Sequence, residues 1–104
     1  MKVYNKLVRD NIPQIIEESG KKCEIRIVDK EEQYKLLEEK LKEEVNEFIE
    51  AKNLEELADV MEVLVGLSKS LGYSEEDLMN KRQEKKQQRG GFEKGIFLLS
   101  VDDK

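Results

Sequence analysis

The sequence predicts a mainly α-helical fold, a bundle of three to four helices with a small two-stranded β-ribbon. Three observations lead to this prediction: apolar residues recur at helical spacing, helix-capping residues stand at the ends of these stretches, and 41% of the residues are charged while 38% are apolar. Such a composition is typical of long helices with charged outer faces. Because few apolar residues are available for one core, we expect oligomerisation to complete the bundle.

The first part of the chain predicts a short helix and a strand. Pro13 is a good first-turn residue, so a helix is expected over residues 13–19, and Gly20 stops it. After it, residues 23–29 (CEIRIVD) alternate apolar and charged side chains. This alternation is typical of a half-buried strand.

Three longer helices are expected next, each bounded by residues that favour a helix end. The first covers residues 30–52, and Asn53 interrupts it as a cap. The second covers about residues 54–71 and is followed by a glycine. A capping box, SEED at residues 74–77, opens the last helix, which runs toward Gln88.

Two consecutive glycines end the last helix, and a hydrophobic tail follows them. Within the tail, residues 96–101 predict a short strand, and pairing with residues 24–28 gives the β-ribbon. No repeat or linker marks a second domain, and a length of 104 residues fits one domain over residues 1–104.

Composition excludes several classes of function. A net charge of −5 argues against binding to a nucleic-acid polymer. The chain has no histidine, which excludes imidazole catalysis, and its single cysteine, Cys23, allows neither an internal disulfide nor a zinc cluster. The sequence shows no signal peptide and no membrane-spanning run, so we expect a cytoplasmic protein without a membrane partner.

Four carboxylates in the two central helices form two pairs at i,i+3 spacing, Glu44 with Glu47 and Glu56 with Asp59. On a helical wheel, Glu44 falls about 20° from the apolar Leu37, and Glu56 lies at a similar angle from the apolar centre of its own helix. Both are therefore expected to point into protein. Glu47 and Asp59 lie farther out, at the edges of the apolar arcs.

A divalent cation is the simplest compensation for carboxylates that point inward. An unpaired buried carboxylate is costly, and neighbouring carboxylates raise one another's pKa. Mg²⁺ binds carboxylate oxygens together with water and substrate phosphates. The alternative is chance spacing in a chain with 24 acidic residues, with Lys40 or Lys81 pairing the acids as salt bridges.

Three segments in a fixed order resemble a known family. They are YNKLVRDNIPQII near the start, KLKEEVNEFIEA followed by EELADVMEVLVGL in the middle, and RGGFEKGIFL near the end. Together they resemble the all-α nucleoside triphosphate pyrophosphohydrolases, the MazG-like superfamily that includes phosphoribosyl-ATP pyrophosphohydrolase. The first and last segments are similar to a small subgroup described as phosphoribosyl-ATP-pyrophosphohydrolase-like.

The resemblance implies a metal-dependent hydrolase. The family pattern, Glu-x-x-Glu and then Glu-x-x-Asp, falls on Glu44, Glu47, Glu56 and Asp59. These acids are expected to hold Mg²⁺, with Mn²⁺ as a second candidate, and to share the metal-ligand and catalytic roles. The resemblance also implies a homodimer or homotetramer. Only eight residues separate Glu47 from Glu56, so the turn between the two helices must be tight.

Two groups of cationic residues are candidates for binding substrate phosphates. Lys81, Lys85 and Arg89 recur at every fourth residue and lie along one face of the last helix. Their alternative role is a solvated basic face. Lys6 and Arg9 near the N-terminus form the second group, whose alternative role is to dock the N-terminal arm on the bundle.

The expected function is Mg²⁺-dependent hydrolysis of a nucleoside triphosphate, or a similar nucleotide, to a monophosphate and pyrophosphate. Two alternatives stay open. Phosphoribosyl-ATP could be the specific substrate, or the chain could be a non-catalytic helical module that binds a metal structurally or a nucleotide without turnover.

Overall fold

A computed structural model describes residues 1–103, and the described chain is mainly helical. Four helices occur within these residues: α1 (Ile12–Glu18), α2 (Lys30–Ala51), α3 (Leu54–Ser70) and α4 (Glu75–Arg89). Each matches a predicted helix, with bounds within about one residue of those expected from the caps. The prediction of a mainly α-helical fold is confirmed.

The two longest helices, α2 and α3, form a hairpin through a turn of only two residues. Lys52 ends α2 in the left-handed conformation, with φ 53° and ψ 45°. Asn53 is the N-cap of α3, and its side-chain oxygen accepts a hydrogen bond of 2.9 Å from the backbone N–H of Glu56. The tight turn expected between the acid pairs is therefore present, and it brings the two pairs onto facing helices.

The buried apolar core of the described residues lies on α2 and α3. It consists of Leu37 on α2 and of Val63 and Val65 on α3. Gly66 allows the close approach, because a Cβ atom at this position would lie 3.2 Å from Leu37 Cδ2. A core of three side chains is small for this length, so the hairpin leaves much apolar surface uncovered.

The last helix, α4, contacts the hairpin at the N-terminal end of α4. Ser74 caps α4 through the expected capping box with Asp77. The hydroxyl of the buried Ser68 donates a hydrogen bond to the Ser74 carbonyl oxygen at 3.3 Å. No residue of α4 is buried, so this helix contributes little to the core.

The predicted β-ribbon is wrong: no strand occurs within residues 1–103. Residues 24–28 lie beside the first turn of α2, where the two terminal guanidinium nitrogens of Arg26 donate hydrogen bonds to the Glu32 carboxylate. Residues 96–101 form no regular secondary structure and are exposed. A two-stranded ribbon is marginal in water unless it packs against another surface, and no residue of either segment is buried against the helices.

The search for membrane-crossing helices in residues 1–103 found no candidate with the necessary length and apolar character.

Candidate metal site

Three of the predicted acids converge where α2 faces α3. One carboxylate oxygen from each of Glu44, Glu56 and Asp59 lies within 4.8 Å of the others. The i,i+3 spacing places Glu56 and Asp59 on one side of α3, and the two-residue turn brings Glu44 opposite them. The helical positions expected from the sequence therefore bring these three side chains together.

A second group of carboxylates shares Glu44 with the first. Oxygens of Glu43, Glu44 and Glu47 lie within 4.8 Å of one another along α2. Glu47 is exposed, whereas Glu43 is half-buried. The sequence prediction did not include Glu43. Its position three residues after Lys40 was a signal that these two side chains form a salt bridge beside Glu44.

Two carboxylate oxygens at the centre of the site have no hydrogen-bond donor. They are Glu44 Oε2 and Glu56 Oε2, and both atoms are buried. Glu44 as a whole is only 6% exposed, which confirms the prediction that it points inward. Buried carboxylate oxygens normally accept hydrogen bonds, since an unsatisfied one is costly. Both atoms lack this compensation, which a donor or a cation could supply.

Three cationic side chains border the acids. Lys40 Nζ lies 3.2 Å from Glu44 Oε1 and 3.7 Å from Glu43 Oε2. From the N-terminal arm, Lys6 reaches Glu43 at 3.4 Å and Arg9 reaches Asp59 at 2.9 Å. The salt bridges that the alternative interpretation expected between Lys40 and the acids are thus present. Lys81 instead pairs with Glu84 of its own helix.

The charges at the site do not balance. Five carboxylates belong to the two acid groups, and three cationic side chains contact them. The excess is two negative charges, which is the charge that one divalent cation neutralises. The donor set also fits a hard cation, since it consists of carboxylate oxygens alone.

The carboxylate oxygens lie close enough to share one ion. One oxygen from each acid of a group lies within 4.8 Å of the others, and the ligands of one Mg²⁺ or Ca²⁺ ion lie about 3–5 Å apart. Glu44, Glu56 and Asp59 are the residues that would hold the ion, with Glu47 at the outer side.

The repulsion among the acids appears in the pKa of Glu47, which is raised above its usual range. The first cause is a hydrogen bond with Glu44, which forms when one of the two carboxyl groups is protonated. The negative charges of Glu44, Glu56 and Glu43 add to the effect. A cation at this place would relieve the same repulsion and favour the ionised form of Glu47.

Glu47→Gln is expected to raise the melting temperature of the metal-free protein at neutral pH. A carboxyl whose pKa is raised in the folded state lowers stability as pH rises from the ordinary glutamate pKa of about 4.3 through the raised value. The variant should therefore melt at the same temperature as the parent below this window and a few degrees higher above it. Thermal melts from pH 4 to pH 8 in a chelator measure the difference.

With saturating Mg²⁺ at neutral pH, the parent should melt at a higher temperature than Glu47→Gln, because glutamine is a weaker ligand than a carboxylate. Glu50→Gln is the matched control, since Glu50 is an exposed acid of the same helix outside both acid groups. Equal melting temperatures of parent and variant at every pH, with equal gains from Mg²⁺, would contradict the role of Glu47.

The predicted phosphate-binding residues separate into two locations. Lys6 and Arg9 contact the acids, as described above. Lys81, Lys85 and Arg89 lie on the exposed α4, and within residues 1–103 no ion pair joins them to the acid groups. Lys85 and Arg89 instead line an open groove beside Phe92. The N-terminal cations are therefore the ones that the folded chain brings to the site.

Comparisons with protein-family models, curated proteins and solved structures gave no match for this chain.

Proposed function

We propose that this protein is a Mg²⁺-dependent nucleotide pyrophosphohydrolase of the MazG-like type. It would hydrolyse a nucleoside triphosphate or a similar nucleotide to a monophosphate and pyrophosphate. The observation that carries the proposal is the pair of buried carboxylate oxygens without donors, Glu44 Oε2 and Glu56 Oε2, on facing helices. The resemblance of three sequence segments to this superfamily supports the choice of reaction.

The acids have two chemical roles in this proposal, metal binding and proton acceptance. Glu44, Glu47, Glu56 and Asp59 hold the cation and offer a carboxylate that accepts a proton from the attacking water. A bound Mg²⁺ supplies charge neutralisation for phosphate oxygens and lowers the pKa of water. Water adds to the α-phosphorus, the bond to the bridging oxygen breaks, and pyrophosphate leaves.

The N-terminal arm provides cations for the phosphates. Arg9 and Lys6 lie at the rim of the acids, and their side chains are 56% and 43% exposed. A guanidinium can bind two phosphate oxygens at once, so Arg9 is the stronger candidate for a direct phosphate contact. Its present partner, Asp59, is one of the proposed ligands, so a bound cation would weaken this ion pair and free Arg9.

The cellular setting is part of the same proposal. A single free cysteine is usual for proteins of a reducing compartment, which agrees with the cytoplasm. The substrate is a small nucleotide, since the net charge of −5 disfavours a nucleic-acid polymer. The uncovered apolar surface of the hairpin favours a homodimer or homotetramer.

The decisive test is pyrophosphate release from a panel of canonical and modified nucleoside triphosphates and phosphoribosyl-ATP, with Mg²⁺ and with a chelator. Release from any of them that requires Mg²⁺ is the expected result. Release from phosphoribosyl-ATP alone would identify a specific substrate. If none is cleaved while Mg²⁺ still raises the melting temperature, the chain is a metal-binding module rather than this enzyme.

A further inference from the structure

One of the three cations that border the acids differs from the other two in its position. Lys40 lies on α2 itself, and only 19% of its side chain is exposed, against 43% for Lys6 and 56% for Arg9. Lys6 and Arg9 belong to the N-terminal arm, residues 1–11, none of which is buried. Helix geometry fixes Lys40 beside the acids four residues further along. Its position therefore does not depend on where the arm lies.

Lys40 is also the cation of these three that contacts the buried acid of the site. Its Nζ atom lies 3.2 Å from Glu44 Oε1. The other oxygen of the same carboxylate, Glu44 Oε2, is buried and has no hydrogen-bond donor. The lysine thus engages one oxygen of Glu44 and leaves the second one free for another partner.

The orientation of the Glu44 carboxylate matters because this acid is common to both acid groups. Glu44 is only 6% exposed, so its side chain is enclosed by protein. One of its oxygens lies within 4.8 Å of oxygens of Glu56 and Asp59. The terminal torsion of a glutamate is otherwise weakly restricted. A contact at Oε1 opposes this rotation and keeps the other oxygen in one place.

Stabilisation of α2 does not account for the pair of Lys40 and Glu44. The lysine precedes the glutamate by four residues, whereas the reverse order is the more favourable one in an isolated helix. Glu31 and Lys35 of the same helix have that favourable order, and both side chains are exposed. Lys40 is instead largely withdrawn from water, which costs free energy that an exposed pair does not lose.

We propose, on the basis of the metal site in the proposed function, that Lys40 is a positioning residue. It holds Glu44 Oε1 and thereby directs Glu44 Oε2 toward the cation. Residues that hold a metal ligand in this way contribute to the affinity for the metal without contacting it. Lysine suits the task because its ammonium group is a compact charge, whereas the guanidinium fork of arginine engages both oxygens of a carboxylate.

Binding of Mn²⁺ alone tests this role, because Mn²⁺ accepts the same carboxylate ligands as Mg²⁺. Loss of the electron paramagnetic resonance signal of the free ion measures the dissociation constant. In Lys40→Met this constant should rise at least about tenfold, as for other residues that orient a ligand. Removal of a neighbouring positive charge without any effect on orientation would instead tighten binding. The direction of the change separates positioning from charge compensation.

Two control variants remove a lysine charge elsewhere. Lys6→Met removes a cation that contacts Glu43 rather than Glu44, so Mn²⁺ should bind as tightly as in the parent or more tightly. Lys42→Met removes the same charge from an exposed position of α2 and should leave the dissociation constant unchanged. Equal weakening in Lys6→Met and Lys40→Met would overturn the proposal, because any bordering cation would then have the same effect.

Lys40→Arg tests the contact with a variant that keeps the charge. Lys40→Met leaves a buried carboxylate without its cation, so its fold must be checked by circular dichroism. Lys40→Arg retains this compensation and should melt close to the parent temperature in a chelator. Its Mn²⁺ binding should nevertheless be weaker, because the guanidinium engages both oxygens of Glu44. A dissociation constant equal to that of the parent would overturn the proposal, since charge alone would then suffice.

Failure of this proposal and failure of the proposed function give different results. If the parent binds Mn²⁺ but releases no pyrophosphate from any nucleotide, the reaction is wrong, and weaker binding in both Lys40 variants still supports positioning. If the parent releases pyrophosphate and Lys40→Met binds Mn²⁺ as tightly as the parent, only the positioning role is wrong. A folded parent that binds no Mn²⁺ would overturn both.

Discussion

Glu56→Gln is expected to abolish Mg²⁺-dependent pyrophosphate release, with a loss of at least about 100-fold. Glutamine has the shape of glutamate but no charge, so the site loses a ligand and half of its excess negative charge. The buried oxygen that lacks a donor, Glu56 Oε2, is the group affected. The measurement is pyrophosphate release with the substrate that the panel identifies.

The fold should survive this substitution. The N-cap bond of α3 joins Asn53 to the backbone N–H of Glu56 and does not involve its side chain. The neutral side chain also reduces the repulsion from Glu44. The metal-free variant should therefore melt at the parent temperature or above it, and circular dichroism should show the same helix content.

Glu55→Gln is the matched control for Glu56→Gln. It removes the same charge from the adjacent residue, but Glu55 is exposed and belongs to neither acid group. The control should retain activity close to that of the parent. If both variants lose activity equally, the loss reflects the overall charge of α3. If Glu56→Gln remains active, the proposed role of the buried acids is wrong.

The helices were predictable because their signals are local. Asn53 and Ser74 cap the helices that follow them through side chains only three residues from their bonding partners. Such bonds depend on the sequence within one turn, so the sequence alone determines them. The β-ribbon required pairing between two segments about 70 residues apart, and the alternation of apolar residues within one segment could not reveal whether the two segments meet.

The inward direction of Glu44 was predictable for the same reason, since its angle to Leu37 is determined by helix geometry. The pairing of Glu43 with Lys40 has a local signal, but its contact with Lys6, 37 residues away in the sequence, was not predictable. The contact between Arg9 and Asp59 spans 50 residues. Contacts of this kind depend on how the N-terminal arm crosses the hairpin, and no periodicity within a helix contains this information.

Leu37→Ala is expected to cause the largest loss of stability among single substitutions in this chain. Leu37 is one of three buried apolar residues and packs against Gly66, the position at which a Cβ atom would lie 3.2 Å from Leu37 Cδ2. Truncation of a buried leucine costs about 2–5 kcal/mol, and the lower half of this range applies here because the side chain retains 8% exposure. At 4–8 °C per kcal/mol, the melting temperature should fall by about 8–28 °C.

Leu71→Ala is the matched control, because Leu71 is 60% exposed at the end of α3 and should cost little. Both variants must be melted at one protein concentration, since the proposed oligomerisation would make the melting temperature depend on concentration. If Leu37→Ala melts like the control, the α2–α3 interface is not the main source of stability, and the contacts between copies must supply it. A large loss in Leu37→Ala at every concentration would instead show that each hairpin folds on its own core before two copies associate.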